Sequence, residues 1–308
     1  MTRTTLLWVS RQPTLQARVP RLAFVRRAVS RFMPGETLAE ALAACERFGR
    51  EGLGAVLTLL GENVADAREA GLVVDHYAGA IEEIARRHLD AEISVKPTHL
   101  GLDLGLDVAA RSLAALAQAA AGRAGMVWVD MEGSETTQPT IDLFRKVRAA
   151  HPNLGLCLQS YLRRTAGDLD LLLADGGSPG IRLVKGAYAE PPRVAFARKS
   201  EVDENYATLA GRMLAAAGNG ARLVFGTHDP RAIARVCEQA SSRGVPKRTF
   251  EFHMLYGIGR EEQRRLADAG HRVRVLISYG SAWFPWYLRR LAERPANLAF
   301  VLRSLVAR

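Results

Sequence analysis

The segment 286–295 carries the residues whose types and spacing most clearly suggest chemistry. On a helix, at about 100° per residue, four side chains share one half-turn sector: Tyr287, Arg289, Arg290 and Glu293. Two adjacent guanidinium groups with a carboxylate three and four residues later would form an anion clamp with its own orienting group. Arginine suits such a clamp because its planar fork pairs bidentately with a carboxylate and keeps its charge. A solvated helix with i,i+4 ion pairs would show the same pattern, so the interpretation depends on other parts of the chain.

Polar side chains also stand where short apolar runs end. They are Lys96, Asp130, Gln159, Lys185, the run Thr227-His228-Asp229, and the pair Glu251 and His253. If the runs are strands of a β/α barrel, their carboxyl ends meet at one face, and we predict one shared site there. Lys96, Arg182 and Lys185 make this group rich in cations. Because buried cations require anions, the pattern predicts a ligand with phosphates or a carboxylate.

Eight apolar runs are candidate strands, and amphipathic segments of helical length separate them. The runs span 55–59, 92–96, 126–130, 154–159, 181–185, 221–227, 248–253 and 273–278. Alternation of strand and helix favours parallel βαβ units, and eight units match an α/β fold of the (β/α)8 barrel type. A doubly wound open sheet is the alternative, but its G-x-G-x-x-G fingerprint between first strand and helix is absent.

Composition and charge limit the possible functions. The chain has 308 residues, 48% hydrophobic and 24% charged, as expected of a folded soluble protein. The net charge of +10 favours anionic partners. The chain lacks a paired Cys/His motif and a basic helix with heptads, so nucleic-acid binding is not expected. The G-x-S-x-G elbow of serine hydrolases is absent, and the seven dispersed histidines offer no metal-ligand pair.

The cysteines and the chain ends bear on location and domain organisation. Three widely spaced cysteines favour a reducing compartment, and we predict a cytoplasmic protein. No apolar run reaches the ~18 residues that span a bilayer, so any membrane contact would be peripheral. Residues 1–34 are predicted to be an N-terminal arm or helix, and residues 35–308 one catalytic domain.

Several motifs together resemble the FAD-dependent proline dehydrogenases of the monofunctional type. They are Val184-Lys185-Gly186-Ala187-Tyr188 preceded by Arg182, then Thr227-His228, then Phe250-Glu251-Phe252 followed by Met254-Leu255-Tyr256-Gly257, and finally the helix with the double arginine. Their order and spacing fit across about residues 35 to 305. The resemblance implies a distorted (β/α)8 barrel whose last helix lies over the barrel mouth.

The resemblance also implies a role for each matching residue. Lys96, Arg289 and Arg290 would bind the substrate carboxylate, and Glu293 would hold the clamp in place. The pocket would be lined by Asp130, Ala187, Tyr188, Leu255 and Tyr287. Arg182 would lie near flavin N5 and Gln159 near the pyrimidine edge, while Lys185, Thr227 and His228 would hold the flavin or its diphosphate. The expected reaction oxidises L-proline to 1-pyrroline-5-carboxylate by hydride transfer to FAD, with electrons passing to a quinone or another acceptor.

The chain departs from the family pattern at four positions. Leu276 stands where the family has a pocket tyrosine, Ser278 replaces a proline, His253 replaces a glutamine, and Asp229 replaces an asparagine. The change at Leu276 motivates an alternative substrate for the same flavin chemistry, such as hydroxyproline, pipecolate or another secondary amine. A barrel-derived scaffold without flavin is a second alternative. The absorption spectrum of the purified protein separates flavoprotein from scaffold.

Overall fold

Eight parallel strands close into a barrel in the computed structural model, which describes residues 25, 27, 29–123, 125–284 and 286–288. The strands follow one another in chain order around the barrel, and β1 pairs with both β2 and β8. Their bounds are β1 Gly54–Leu59, β2 Ala91–Val95, β3 Val127–Val129, β4 Leu154–Gln159, β5 Gly180–Val184, β6 Arg222–Gly226, β7 Phe250–Leu255 and β8 Arg272–Tyr279. The prediction of a (β/α)8 barrel is confirmed, and the open sheet is excluded.

Helices connect the strands and cover the outside of the barrel. Their bounds are α1 Leu38–Arg50, which precedes β1, then α2 Ala67–Arg86, α3 Leu106–Ala120, α4 Thr137–Arg148, α5 Thr165–Ala174, α6 Lys199–Ala215, α7 Pro230–Ser242 and α8 Arg260–Asp268. After β8, the described residues from Trp283 to Leu288 are helical. Within the described part of the chain, no helix combines the length and the apolar character needed to cross a membrane.

The strands appear in the sequence as continuous apolar runs because both of their faces are covered. All residues of β2, β3 and β4 are buried. Helices pack on the outer face and side chains fill the interior, so the alternation typical of half-exposed strands is lost. Local caps then set where helices begin. At the start of α7, Asp229 accepts a hydrogen bond from the backbone N–H of Arg231 at 3.0 Å, and Pro230 occupies the first helical position.

A buried ionic cluster fills the amino-terminal end of the barrel. We define it by two carboxylates and two guanidinium groups, Glu92, Glu251, Arg222 and Arg274. Arg222 donates to Glu251 at 2.8 Å and to Glu92 at 2.5 Å, so it joins β6 to β7 and, across the interior, to β2. Trp128 lies above the cluster and donates its indole N–H to Glu92 at 2.8 Å. The cluster therefore closes the end of the barrel remote from the predicted site.

One strand begins later than predicted. The sequence placed a strand at 248–253, with Glu251 and His253 at its end, but β7 starts at Phe250 because a 3-10 turn occupies Lys247–Thr249. Glu251 is therefore near the amino-terminal end of β7 and belongs to the ionic cluster. The expectation that Glu251 lies at the barrel mouth was wrong. The cause is that the strand continues through Met254 and Leu255, two residues beyond its predicted end, so that Glu251 is only its second residue.

The N-terminal residues pack against the segment that follows β8. Val25, Val29, Phe32 and Met33 form one hydrophobic cluster with residues that include Trp283, Phe284, Tyr287 and Leu288. The rings of Phe32 and Tyr287 are 6.0 Å apart. The two ends of the described chain thus contact each other, while the proposed boundary at residue 34 stays a prediction.

Gly257 is one of the barrel residues that this N-terminal segment contacts closely. It has φ +75°, and a Cβ placed on it would lie 1.6 Å from the carbonyl oxygen of Arg31. We expect Gly257→Ala to lower the free energy of unfolding by about 2 kcal/mol, because the added methyl strains the left-handed backbone and displaces residues 29–33. Chemical denaturation would measure this loss, and limited proteolysis would report the displaced segment. Gly244→Ala is the matched control: its φ is +67° but no atom lies within 4 Å of the added Cβ, so it should show the backbone strain without new proteolysis.

Candidate active site

A cavity of about 270 Å³ opens at the carboxyl ends of the strands. Eleven of the candidate site residues singled out from the sequence line it: Lys96, Asp130, Gln159, Arg182, Lys185, Ala187, Tyr188, His228, His253, Leu255 and Leu276. These residues come from the ends of seven strands or from the loops that follow, β1 being the exception. The fold therefore brings most of the sequence-predicted set into one place, as expected for this end of a barrel.

Arg182 and Asp130 form an ion pair at the floor of the cavity. Arg182 is 4% exposed at its side chain, and one of its amino groups donates to both Asp130 and Ser94, the latter at 2.8 Å. Ser94 in turn donates to Asp130 at 2.9 Å. Burial would lower the pKa of Arg182, but Asp130, Cys157 and Glu92 together outweigh burial and raise that pKa. The guanidinium also lies over the ring of Trp128, 5.1 Å from its centroid.

The second amino group of Arg182 and the side-chain oxygen of Gln159 lack partners. Both atoms are buried, and neither has a hydrogen-bond partner among the described residues. The amide nitrogen of Gln159 donates to the carbonyl of Met131 at 3.0 Å. Because a carbonyl can only accept, this bond fixes the orientation of the amide and leaves its oxygen as an acceptor. The cavity floor thus presents one donor and one acceptor to a ligand, and a ligand is needed to satisfy them.

Two lysines at the rim are held by carboxylates of the protein. Lys96 donates to Glu62 at 2.7 Å and to the carbonyl of Gly61 at 3.3 Å. Lys185 contacts Asp203 at 2.6 Å and Asp229 at 2.7 Å. The pairing between Lys185 and Asp229 connects the end of β5 to the cap of α7.

These pairings correct the charge argument made from the sequence. Lys96, Arg182 and Lys185 were expected to leave positive charge for an anionic ligand, but each one contacts an acidic side chain. The partners come from other elements, which the sequence pattern did not reveal. An anionic ligand at Lys96 would compete with Glu62 for the charge of the ammonium group. The argument for a ligand therefore rests on the unpartnered atoms of Gln159 and Arg182.

His228 and Thr227 at the end of β6 have different surroundings. His228 lines the cavity, and its Nε2 accepts a hydrogen bond from the backbone N–H of Leu255 at 3.3 Å. This bond ties the ends of β6 and β7 together and orients the imidazole. Thr227 is buried outside the set of cavity-lining residues, and its hydroxyl accepts from the backbone N–H of Asp229 at 3.1 Å. Its observed contact is to the start of α7.

Close packing after β5 brings Ala187 and Tyr188 to the cavity. Gly186 has φ +108°, and a Cβ on it would lie 2.2 Å from the ring of Tyr161. Only glycine allows the backbone to pass the aromatic ring at this distance. The loop can then turn toward the mouth, where Ala187 and Tyr188 form part of the wall.

The helical residues after β8 are only partly described. Trp286 lines the cavity, whereas Tyr287 packs against Phe32 and Trp283 in the hydrophobic cluster and is absent from the cavity wall. Trp286 therefore lines the cavity where the sequence predicted Tyr287. Arg289, Arg290 and Glu293, the predicted anion clamp, lie outside the described residues.

Several cavity residues were missed in the sequence. Glu132 follows Asp130 by two residues, and both residues line the cavity. Glu132 is 5% exposed, and burial raises its pKa to about 7 despite hydrogen bonds from Thr98. His253, by contrast, was predicted from the sequence as a strand-end residue of the site, and it lies on the cavity floor with its ring 5.4 Å from that of Trp128; burial lowers its pKa to about 4. The spacing of Asp130 and Glu132 directly after a strand could have indicated a pair of carboxylates.

Comparison with known proteins identifies the family. The family model described as proline dehydrogenase matches residues 41–303. Proline dehydrogenase 1 of Bacillus subtilis (strain 168) is 36% identical over 99% of both chains, and the proline dehydrogenase of Deinococcus radiodurans is 36% identical over 90% of this chain and 89% of its own.

Solved structures agree on the fold. Proline utilization A from Bdellovibrio bacteriovorus superposes with a TM-score of 0.82 at 23% identity over 87% of this chain. The Bradyrhizobium japonicum protein of the same name gives 0.75 at 27% identity over 90% of this chain. This chain spans about a third of the length of those two proteins, 33% and 32% respectively. Because the family model matches most of the chain and a relative is 36% identical over nearly its whole length, the chain belongs to the proline dehydrogenase family.

Proposed function

We propose that this protein oxidises L-proline to 1-pyrroline-5-carboxylate, with a bound FAD whose N5 accepts the hydride. Within a member of the proline dehydrogenase family, one observation carries the proposal. The floor of the cavity holds a buried acceptor on Gln159 and a buried donor on Arg182, both without partners among the described residues. Such atoms are costly unless a ligand satisfies them.

These unpartnered atoms fit the polar edge of an isoalloxazine ring. Its imide N–H can donate to the oxygen of Gln159, and its ring nitrogens can accept from Arg182. Arg182 is fixed by Asp130 and Ser94, so its free amino group is already oriented toward the cavity. We propose Lys185, Thr227 and His228 as further residues that hold the flavin or its diphosphate.

For the substrate, we propose that Lys96 exchanges Glu62 for the carboxylate of proline, together with Arg289 and Arg290, while Glu293 holds that arginine pair. Asp130, Ala187, Tyr188, Leu255 and Leu276 would surround the ring, and all five line the cavity. The protein then contributes binding and orientation. Holding the reacting carbon in place lowers the activation free energy of the reaction substantially. A quinone or another acceptor would receive the electrons.

Two measurements on the purified protein test this function separately. The absorption spectrum should show bound flavin, and turnover with an artificial electron acceptor should be highest for L-proline among proline, hydroxyproline and pipecolate. A colourless protein that stays inactive after FAD is added would refute the flavin assignment. A yellow protein that oxidises another ring in preference to proline would refute the substrate.

Gln159→Leu tests the contribution of the unpartnered oxygen to FAD binding. We expect the variant to bind FAD about 10-fold more weakly, because one buried hydrogen bond to the ligand, worth about 1.4 kcal/mol, is lost. Fluorescence titration of the apoprotein with FAD measures this change directly. Gln118→Leu, an exposed position on α3, is the matched control and should bind FAD like the wild type. Equal affinity of the Gln159 variant and the wild type would contradict the proposed contact.

A further inference from the structure

Glu132 is a buried carboxyl group in the cavity that the proposed binding roles leave unused. It lies in the loop after β3, two residues beyond Asp130, and it is 5% exposed. Its two oxygens accept hydrogen bonds from Thr98, one from the backbone N–H at 3.0 Å and one from the hydroxyl at 2.8 Å. Each carboxylate oxygen has a second lone pair that these bonds do not use. The carboxyl is thus held in place on the wall of the substrate cavity.

The chemistry of the proposed function, on which this inference rests, requires a proton acceptor. A secondary amine enters as an ammonium ion and must lose one N–H proton before its nitrogen can form a C=N bond. That proton needs a basic group inside the cavity. The two electrons of the neighbouring C–H bond leave separately, as the hydride of the proposed function.

Several other ionisable groups of the described cavity wall are engaged with protein partners or unsuited to accept a proton. Asp130 is paired with Arg182, and Lys96 is a cation paired with Glu62. The nitrogen of His228 that faces β7 accepts from Leu255, and burial holds the pKa of His253 at about 4. The Cys157 thiol has a pKa raised by burial, so it stays protonated.

The surroundings of Glu132 suit a group that gains and loses a proton near neutrality. Burial raises its pKa to about 7, against the hydrogen bonds from Thr98 and the charge of Lys96, and the charge of Glu62 adds to the increase. His99, next to Thr98, has a pKa lowered to about 4, mainly by burial, so its imidazole is neutral near pH 7. Glu190 is a further carboxylate beside the loop after β3: it accepts hydrogen bonds from the backbone N–H and the hydroxyl of Ser134, two residues after Glu132, and so is engaged with the protein.

We infer that Glu132 is the proton acceptor for the amine of the bound substrate. The ammonium nitrogen gives one proton to the carboxylate, the electron pair of that N–H bond stays on nitrogen, and Glu132 becomes a neutral carboxylic acid. The nitrogen lone pair then forms the C=N bond as the hydride leaves the adjacent carbon. The products on the protein side are a protonated cyclic imine and protonated Glu132, which returns its proton to solvent after release.

Glu132→Gln removes the base and keeps the shape of the side chain. In the wild type, kcat/KM for L-proline should fall as the pH drops through about 7, because the base must be ionised. In the variant the break in the profile near pH 7 should disappear, and kcat/KM at neutral pH should drop about 100-fold to 10,000-fold. Its kcat/KM should instead rise steadily with pH without levelling off above neutrality, because only proline that arrives with a free amine can then react. Glu132→Asp retains a carboxylate and should keep the decline at low pH.

Glu135→Gln is the matched control, since Glu135 is exposed three residues further on and lies outside the cavity wall. Its pH profile should equal that of the wild type. Infrared difference spectra with pH provide a readout independent of turnover: a carboxyl band that titrates near neutrality should be present in the wild type and Glu135→Gln and absent in Glu132→Gln.

Two outcomes would overturn the inference alone: a Glu132→Gln enzyme that keeps the wild-type rate and decline at low pH, or a wild type without the titrating band. If Glu132→Gln does not fold, Glu132→Asp and the wild-type spectrum still decide between these outcomes. A wild type that binds FAD but leaves L-proline unoxidised would overturn the proposed function, and this inference with it.

Discussion

Asp130→Ala should lower the free energy of unfolding of the apoprotein by about 3 kcal/mol and abolish tight FAD binding. The reason is Arg182, whose side chain is 4% exposed and whose charge is balanced by Asp130. Because an arginine keeps its proton even when buried, the variant would contain an uncompensated charge in the barrel. Without Asp130 the guanidinium would also lose the contact that orients its free amino group toward the cavity. Chemical denaturation of the apoprotein and FAD titration measure the two effects.

A double variant separates stability from binding. Replacing both partners, as Asp130→Leu with Arg182→Met, removes the buried charge together with its counterion. Stability should return to within about 1 kcal/mol of the wild type, because buried pairs replaced by apolar side chains are often close to neutral. FAD binding should remain lost, since the donor is gone. An Asp130→Ala protein as stable as the wild type would show that the ion pair is not the dominant interaction at the cavity floor.

Glu251→Gln should destabilise the protein by about 3 kcal/mol at neutral pH and reduce the dependence of its stability on acid. Glu251 is 4% exposed at its side chain and accepts hydrogen bonds from Arg222 at 2.8 and 2.9 Å and from Arg274 at 3.2 Å. The neutral amide leaves two guanidinium groups with less negative charge around them. Glu92 and Asp90, which contacts Arg274 at 2.7 Å, are then the carboxylates left beside the two guanidinium groups.

The sign of the pH effect follows from the pKa of Glu251. Burial would raise this pKa, but His253 and Arg222 outweigh burial and hold it well below its usual range. The folded pKa is therefore below the unfolded value of about 4.3. The stabilisation by Glu251 is fully present above that value and is lost as the pH falls through the folded pKa. Denaturation at neutral and acidic pH should show a smaller acid loss in Glu251→Gln than in the wild type.

Glu238→Gln, at an exposed position on α7, is the control for this comparison and should keep the wild-type stability and pH dependence. If Glu251→Gln loses as much stability on acidification as the wild type, other carboxyl groups dominate the acid response. Because Glu251 also contacts His253, which lies on the cavity floor, all three proteins should be compared without bound flavin.

The sequence alone determined the barrel and most of the residues at its mouth. Apolar runs of five to seven residues separated by amphipathic helices have few ways to bury both strand faces, and a closed parallel barrel satisfies all eight. Polar residues directly after such runs then have to face the carboxyl end. Lys96, Asp130, Gln159 and Lys185 were found for this reason, and all four line the cavity.

Only the tertiary structure decided which charges neutralise one another and which side chains face the ligand. Arg182 meets Ser94, 88 residues away, and Lys96 meets Glu62, 34 residues away, through a closure that no local pattern encodes. The helical period grouped Tyr287 with the clamp residues, but packing against Phe32 sets the rotation and points Trp286 to the cavity. Periodicity fixes the positions of side chains relative to their own element, whereas contacts between elements fix their direction in space.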